Sequence, residues 1–150
     1  MRYKIVNIRQ LRVCDPTPLT TKPKISHARD VVAVLQAFFA STQNDQEKVV
    51  IVPLSNNLNV MGFHVVHEGS MDCSVVSIPA VLRHVLVSGA EQFICAHNHP
   101  SGTIQPSQED CKIANTLHQA AKLCSLRMLD FIIIGDGTEN YYSFSDERKL

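Results

Sequence analysis

The stretch FICAHNHPSGTIQPSQED, residues 93–110, decides how this chain reads. An apolar run delivers His97 and His99 one residue apart, and a serine and an aspartate follow at short range. Side chains alternate faces along an extended chain, so positions i and i+2 project from the same side and this pair can chelate one metal ion. Pro100, Gly102 and Pro106 then force the chain out of the strand and into a turn. Ser107 stands where a helix N-cap belongs, with Asp110 at the third helical position, and a carboxylate thereby returns to the neighbourhood of the histidines. Two histidines and one carboxylate, with a position left for water, are the usual ligand set of a hydrolytic zinc site.

Each member also has a plainer reading. Ser107 and Asp110 fit S-x-x-D, close to a capping box, and alone they would be a helix cap. A buried histidine is commonly a hydrogen-bonded core residue, and the pair leaves core and metal site both open. His64, His67, His84 and His118 lack any such arrangement and read as surface or core residues. Cys95 reads as a buried strand residue, with a thiolate ligand as the alternative. A zinc deaminase is set aside, because neither H-x-E nor P-C-x-x-C occurs.

Outward from this stretch, helical and extended patterns alternate. Apolar Val31, Val34, Leu35, Phe38 and Phe39 recur at helical spacing and predict a helix over 26 to about 41, capped by Ser26. The β-branched run 47–54, the turn SNNLN and an extended segment over 60–66 predict a hairpin with a five-residue loop. Pro79 opens a helix that ends at Gly89, and residues 92–96 form a short buried strand with the histidines just past its end. The helix from Ser107 to about 125 carries Asp110, Ile113, Leu117, Ala120, Ala121 and Cys124 on one face, so Asp110 should point inward. A core strand over 129–135 and an edge strand over 141–144 follow. The order α-β-β-α-β-α-β predicts a three-layer α/β domain with a mixed sheet and flanking helices, its ligands at the carboxyl end of a central strand.

With 150 residues, 45% hydrophobic and 19% charged, the chain fits one globular domain. Five cysteines without a CxxC pair argue for reduced thiols, and no secretory signal or long apolar run is present, so a cytoplasmic protein with no membrane contact is expected. Net charge is zero, which excludes an overall electrostatic footprint for nucleic acid. Residues 1–30 nevertheless hold seven Lys/Arg against Asp15 and Asp30. With three prolines within 15–23, residues 1–24 read as a basic, Pro-rich arm that could touch nucleic acid. Oligomeric state is not legible.

The string HNHPSG followed by PSQED resembles the RadC-like branch of the JAB/MPN metalloenzymes. Their motif is a distant Glu, then H-x-H-P, six residues, and S-x-x-D. Six residues separate Pro100 from Ser107 here, and the pattern can be followed over roughly 25–145. The resemblance implies a JAB/MPN (cytidine-deaminase-like) architecture over 25–150 and a Zn2+-dependent hydrolase acting on peptide or isopeptide bonds. His97, His99 and Asp110 take the ligand positions, Ser107 that of the residue steadying the oxyanion, and Glu47 that of the general base. Glu68, beside Gly69, is the rival carboxylate. Two departures stand out. Bacterial RadC proteins carry a helix-hairpin-helix module ahead of this domain, which 1–24 is too short and proline-rich to be. The family also tends to read LDH where this chain has Leu129, Asp130 and Phe131. A DNA-associated accessory protein and a metal-dependent nuclease remain the alternatives.

Overall fold

In the computed structural model, residues 24–40, 46–69 and 76–150 are described. They form α1 (Ala28–Ala40), β1 (Lys48–Leu54), β2 (His64–Glu68), α2 (Ile78–Ser88), β3 (Gln92–His99), α3 (Gln108–Leu123), β4 (Arg127–Gly135) and β5 (Tyr141–Ser143). The expected basic arm falls almost wholly within 1–23 and lies outside the described residues.

The sheet runs β2-β1-β3-β4-β5, with β3 and β4 parallel and every other pair antiparallel. Period-two alternation splits the three inner strands, β1, β3 and β4, between two cores. Phe93 and Cys95 of β3 join Val49, Ile51, Phe131 and Ile133 in a core with the inner faces of α2 and α3. Ile94 and Ala96 join Val50, Val52, Ile132 and Ile134 in a second core with α1. Helices on both faces of a mixed sheet make the expected three-layer α/β architecture. Burying a side chain such as Leu117, fully enclosed on α3, contributes about 1.5–3 kcal/mol.

Several element limits differ from the sequence expectation for physical reasons. Strand β3 runs through both histidines rather than ending at Ala96, because β4 pairs it as far as His99↔Gly135. The five-residue turn exists, closed by a Leu54↔Val60 bridge, but β2 pairs regularly only from His64. Pro53 explains the gap: it offers no N–H, and its carbonyl accepts from Met61 N at 2.9 Å on the side where β2 would otherwise continue. At the start of α1, the Asp30 carboxylate accepts from Ser26 N and His27 N at 2.8 and 2.9 Å, so the helix is capped from within its first turn. Helix α2 follows the expected grammar, with N-cap Ser77, Pro79 in the first turn and Gly89 at φ 72°.

Asp130, buried in β4, accepts from Phe131 N, Ser143 Oγ and Ser145 N at 2.8, 2.6 and 2.9 Å, which ties the C-terminal turns to the sheet. Burial pushes its carboxyl above the ordinary value against the pull of those bonds. No helix among the described residues is long and apolar enough to cross a membrane.

Candidate metal centre

Three side chains converge at the carboxyl end of β3. His97 and His99 sit on one face of the strand, as their spacing requires, with ring centroids 4.6 Å apart. Asp110 comes from the first turn of α3, where the helix dipole favours a carboxylate. Its Oδ1 is 3.2 Å from His97 Nε2 and its Oδ2 is 3.7 Å from His99 Nε2. One potential ligand atom from each residue lies within 4.8 Å of the others, close enough to share one ion. The helical face holds as read from sequence: Asp110 is 1% exposed and shares its side of α3 with Ile113, Ala114, Leu117 and Ala121.

The plainer reading and the metal reading of the Ser107–Asp110 pair are both satisfied. Ser107 is the N-cap and completes a capping box with Asp110. Its N–H and Oγ–H both donate to Asp110 Oδ2, at 2.7 and 2.8 Å, while Asp110 N donates to Ser107 Oγ at 3.1 Å. Oδ2 is occupied by the cap, which leaves Oδ1 as the oxygen facing His97. Burial alone would raise the Asp110 carboxyl. The adjacent His97 imidazole and the two Ser107 donors overcome it and hold the group well below the usual carboxylate range, hence ionised.

The donor set fits a divalent metal. His97 is fully buried, yet among the described residues neither ring nitrogen has a hydrogen-bond partner, and its polar neighbour there is Asp110 Oδ1, 3.2 Å from Nε2. Orphaned polar atoms in a dry site are costly unless a ligand satisfies them. His99 Nδ1 lies 2.6 Å from Thr103 O, which makes Nδ1 the protonated nitrogen and frees the Nε2 lone pair. Sequence gave no sign of that bond. Thr103 is aimed by the turn after His99, where Gly102 N donates to His99 O at 2.9 Å and Gly102 adopts φ 78°.

Gly135 makes room for this turn. A Cβ there would collide with the Gly102 carbonyl and come within 3.0 Å of Thr138 Oγ1. Gly135→Ala should therefore displace Thr103 and release His99, lowering affinity for a divalent metal about 10–100-fold in a chelator competition. Unchanged affinity would show that His99 does not depend on this turn.

A cleft of about 370 Å³ opens over the cluster, lined by Glu47, His99, Ser101, Thr103, Gln105, Ser107, Glu109 and Asp110. Glu47, half-buried just ahead of β1, thus shares a wall with two of the three candidate ligands. Glu68 is engaged elsewhere: half exposed, it pairs with the buried Lys48 Nζ at 3.3 Å. Cys95 is a buried member of the core under α2 and α3, where burial pushes its thiol far up, and it is not among the clustered ligands. His64 packs edge-on against His84 at 5.7 Å, apart from the centre. A larger hollow of about 610 Å³ opens beside the start of α1 and holds none of the three ligands; its buried carboxylate, Asp130, is committed to the C-terminal turns.

A mixed five-stranded sheet with this cluster at one strand end defines a metal-site α/β domain. The RadC-like JAB domain family model matches residues 25–150, and the chain belongs to that family. A UPF0758 protein of Bacillus licheniformis is 41% identical over 91 residues, covering 61% of this chain and 41% of that one. A UPF0758 protein of Methanosarcina mazei is 34% identical over 126 residues, covering 84% of this chain and 53% of its own length. The chain spans about half the length, or less, of these curated relatives.

Proposed function

We propose that this chain is a zinc-dependent hydrolase that cleaves amide bonds in peptides or isopeptide-linked proteins. The observation that carries this reading is the convergence of His97, His99 and Asp110 beneath a cleft that also holds Glu47. Held by those three side chains, a zinc ion would polarise the scissile carbonyl and bring the pKa of bound water to about 7. Glu47 takes the proton of the attacking water and delivers it to the departing nitrogen. Ser107, exposed at the cleft wall, turns its hydroxyl to the developing oxyanion, exchanging its bond to Asp110 Oδ2 for one to substrate. Its backbone N–H keeps Asp110 in place meanwhile.

The charge of the cleft favours an amide over a phosphodiester. Among the described residues its lining has Glu47, Glu109 and Asp110 and neither lysine nor arginine. Nucleic-acid backbones are bound chiefly through cationic groups, and three carboxylates would repel them. The test is incubation of the zinc-loaded protein with an unstructured peptide, an isopeptide-linked dimer and DNA. Amide cleavage is expected, with DNA intact. DNA cleavage, or DNA binding that is salt-sensitive and lost on deleting residues 1–24, would replace this reading with a nucleic-acid role.

A further inference from the structure

Asn98 stands between the two histidines and faces away from them, toward the α1 side of the sheet, fully buried. The β1–β3 ladder ends at Val49↔His97. Beyond that pair, the Asn98 carboxamide does what a strand backbone would do. Its Oδ1 accepts from Lys48 N at 2.7 Å and its Nδ2 donates to Gln46 O at 3.2 Å. The two bonds close on the peptide groups flanking Glu47. From the other side, Glu47 O accepts from Gly69 N at 2.9 Å. The second Nδ2 hydrogen goes to Asp136 Oδ2 at 2.8 Å, and Asp136 N in turn donates to His99 O at 3.0 Å. Both amide donors are used, which fixes which way the carboxamide points.

From this geometry we infer that Asn98 is a positioning residue for Glu47. Its carboxamide carries the β1–β3 pairing one step past the last ladder pair, and so presents the Glu47 side chain to the cleft opposite His99. A side chain makes this link because the β1–β3 ladder stops at His97, while β3 itself continues to His99 against β4. The same strand thereby sets the ligands with its odd-numbered side chains and the base with the even-numbered one between them. This inference rests on the reading of Glu47 as general base, and its test separates the two.

The experiment compares wild type with Asn98→Ala, the swap Asn98→Asp/Asp136→Asn, Glu47→Gln, and the double variant Glu47→Gln/Asn98→Ala. Zinc content, steady-state hydrolysis of the amide substrate, and exchange of the Lys48 amide proton are measured in each. For Asn98→Ala, zinc should stay stoichiometric, the Lys48 amide should exchange about tenfold faster for loss of one hydrogen bond, and kcat should fall about 10–100-fold with little change in KM. In the Glu47→Gln background, the same change should cost no more than about two-fold, because Asn98 acts through Glu47. Asn98→Asp alone would set a buried carboxylate against that of Asp136, so it is made together with Asp136→Asn; this swap keeps the acceptor for Lys48 N and loses the donor to Gln46 O, so its loss should be intermediate, and it serves as the folded comparison if the alanine variant is unstable. Independent, multiplicative losses in the double variant would overturn the proposal, as would unchanged Lys48 exchange or zinc lost in step with activity. An inactive Glu47→Gln beside a fully active Asn98→Ala overturns the positioning role alone, whereas a fully active Glu47→Gln removes the base and this role together. Amide exchange decides the matter even where no turnover is detected, since Lys48 protection either depends on Asn98 or does not.

Discussion

Glu47→Gln should lower kcat for amide hydrolysis by roughly 10²–10⁴-fold, the usual contribution of a positioned general base, while zinc content and thermal stability stay at wild-type values. The change is isosteric and removes the charge that accepts the proton. The backbone that holds residue 47 is anchored by its neighbours, through Lys48 N and Gln46 O to Asn98 and through Glu47 O to Gly69 N, and none of these bonds involves the carboxylate. The rival carboxylate should behave oppositely. Glu68 faces the buried Lys48 ammonium at 3.3 Å and lines no part of the cleft, so Glu68→Gln should affect stability and leave turnover largely intact. A Glu68→Gln enzyme that is folded and dead, beside an active Glu47→Gln enzyme, would transfer the base to Glu68.

Asp110 carries two loads, and substitutions can separate them. Asp110→Asn retains an oxygen for Ser107 N and Oγ but loses the charge that faces His97. Asp110→Ala loses the cap as well. Both variants should fail to hold stoichiometric zinc, since a neutral amide is a poor ligand and alanine is none. Only the alanine variant should lose the further 1 kcal/mol or so that a capping residue contributes, which lowers Tm by about 2–4 °C in a domain of this size. The two variants share one consequence for acid stability. The fold holds the Asp110 carboxyl below its ordinary value of 3.8, so its ionised form stabilises the protein above that pH, and the contribution is lost as the pH falls toward the depressed folded value. Wild-type protein should lose this increment on acidification, and neither variant should. Zinc analysis of the purified variants measures the first effect, and calorimetric melts between pH 7 and pH 3, with metal chelated, measure the other two. An Asp110→Asn protein that keeps full zinc occupancy would sink the ligand assignment.

Much of this arrangement was legible before any coordinates. His97 and His99 at i and i+2 fix a shared face, and Asp110 three residues before Ile113 fixes the inward side of α3; both inferences need only the periods of strand and helix. What sequence hid were contacts made by the backbone or between distant segments. Thr103 orients His99 through a carbonyl, which no residue type advertises. Gly135 reads as the end of a strand, and only the proximity of Gly102 shows why a side chain is barred there. Asn98 and its flanking histidines lie beyond the strand end expected at Ala96. Pairing with β4 through Gly135 kept them in the strand, and a polar residue on the buried side of that strand is the signal that marks Asn98. Likewise, a proline in KVVIVPL suggested no interruption of the hairpin, although the missing N–H of Pro53 coincides with the break between the turn and β2. Glu47 came from family resemblance alone. Bottom-up it is an acidic residue opening a strand, and its place on the cleft wall becomes visible only when β1 is set beside β3.

Metal content tests the central claim most directly. Wild-type protein, purified without added metal and analysed by mass spectrometry for zinc, should contain one zinc per chain. His99→Ala is the comparison least liable to disturb the core, because His99 is partly exposed whereas His97 is wholly enclosed. It should retain the wild-type fold and lose the ion. A wild-type protein that takes up no zinc even on reconstitution, or a His99→Ala protein that binds as much zinc as wild type, would contradict the account.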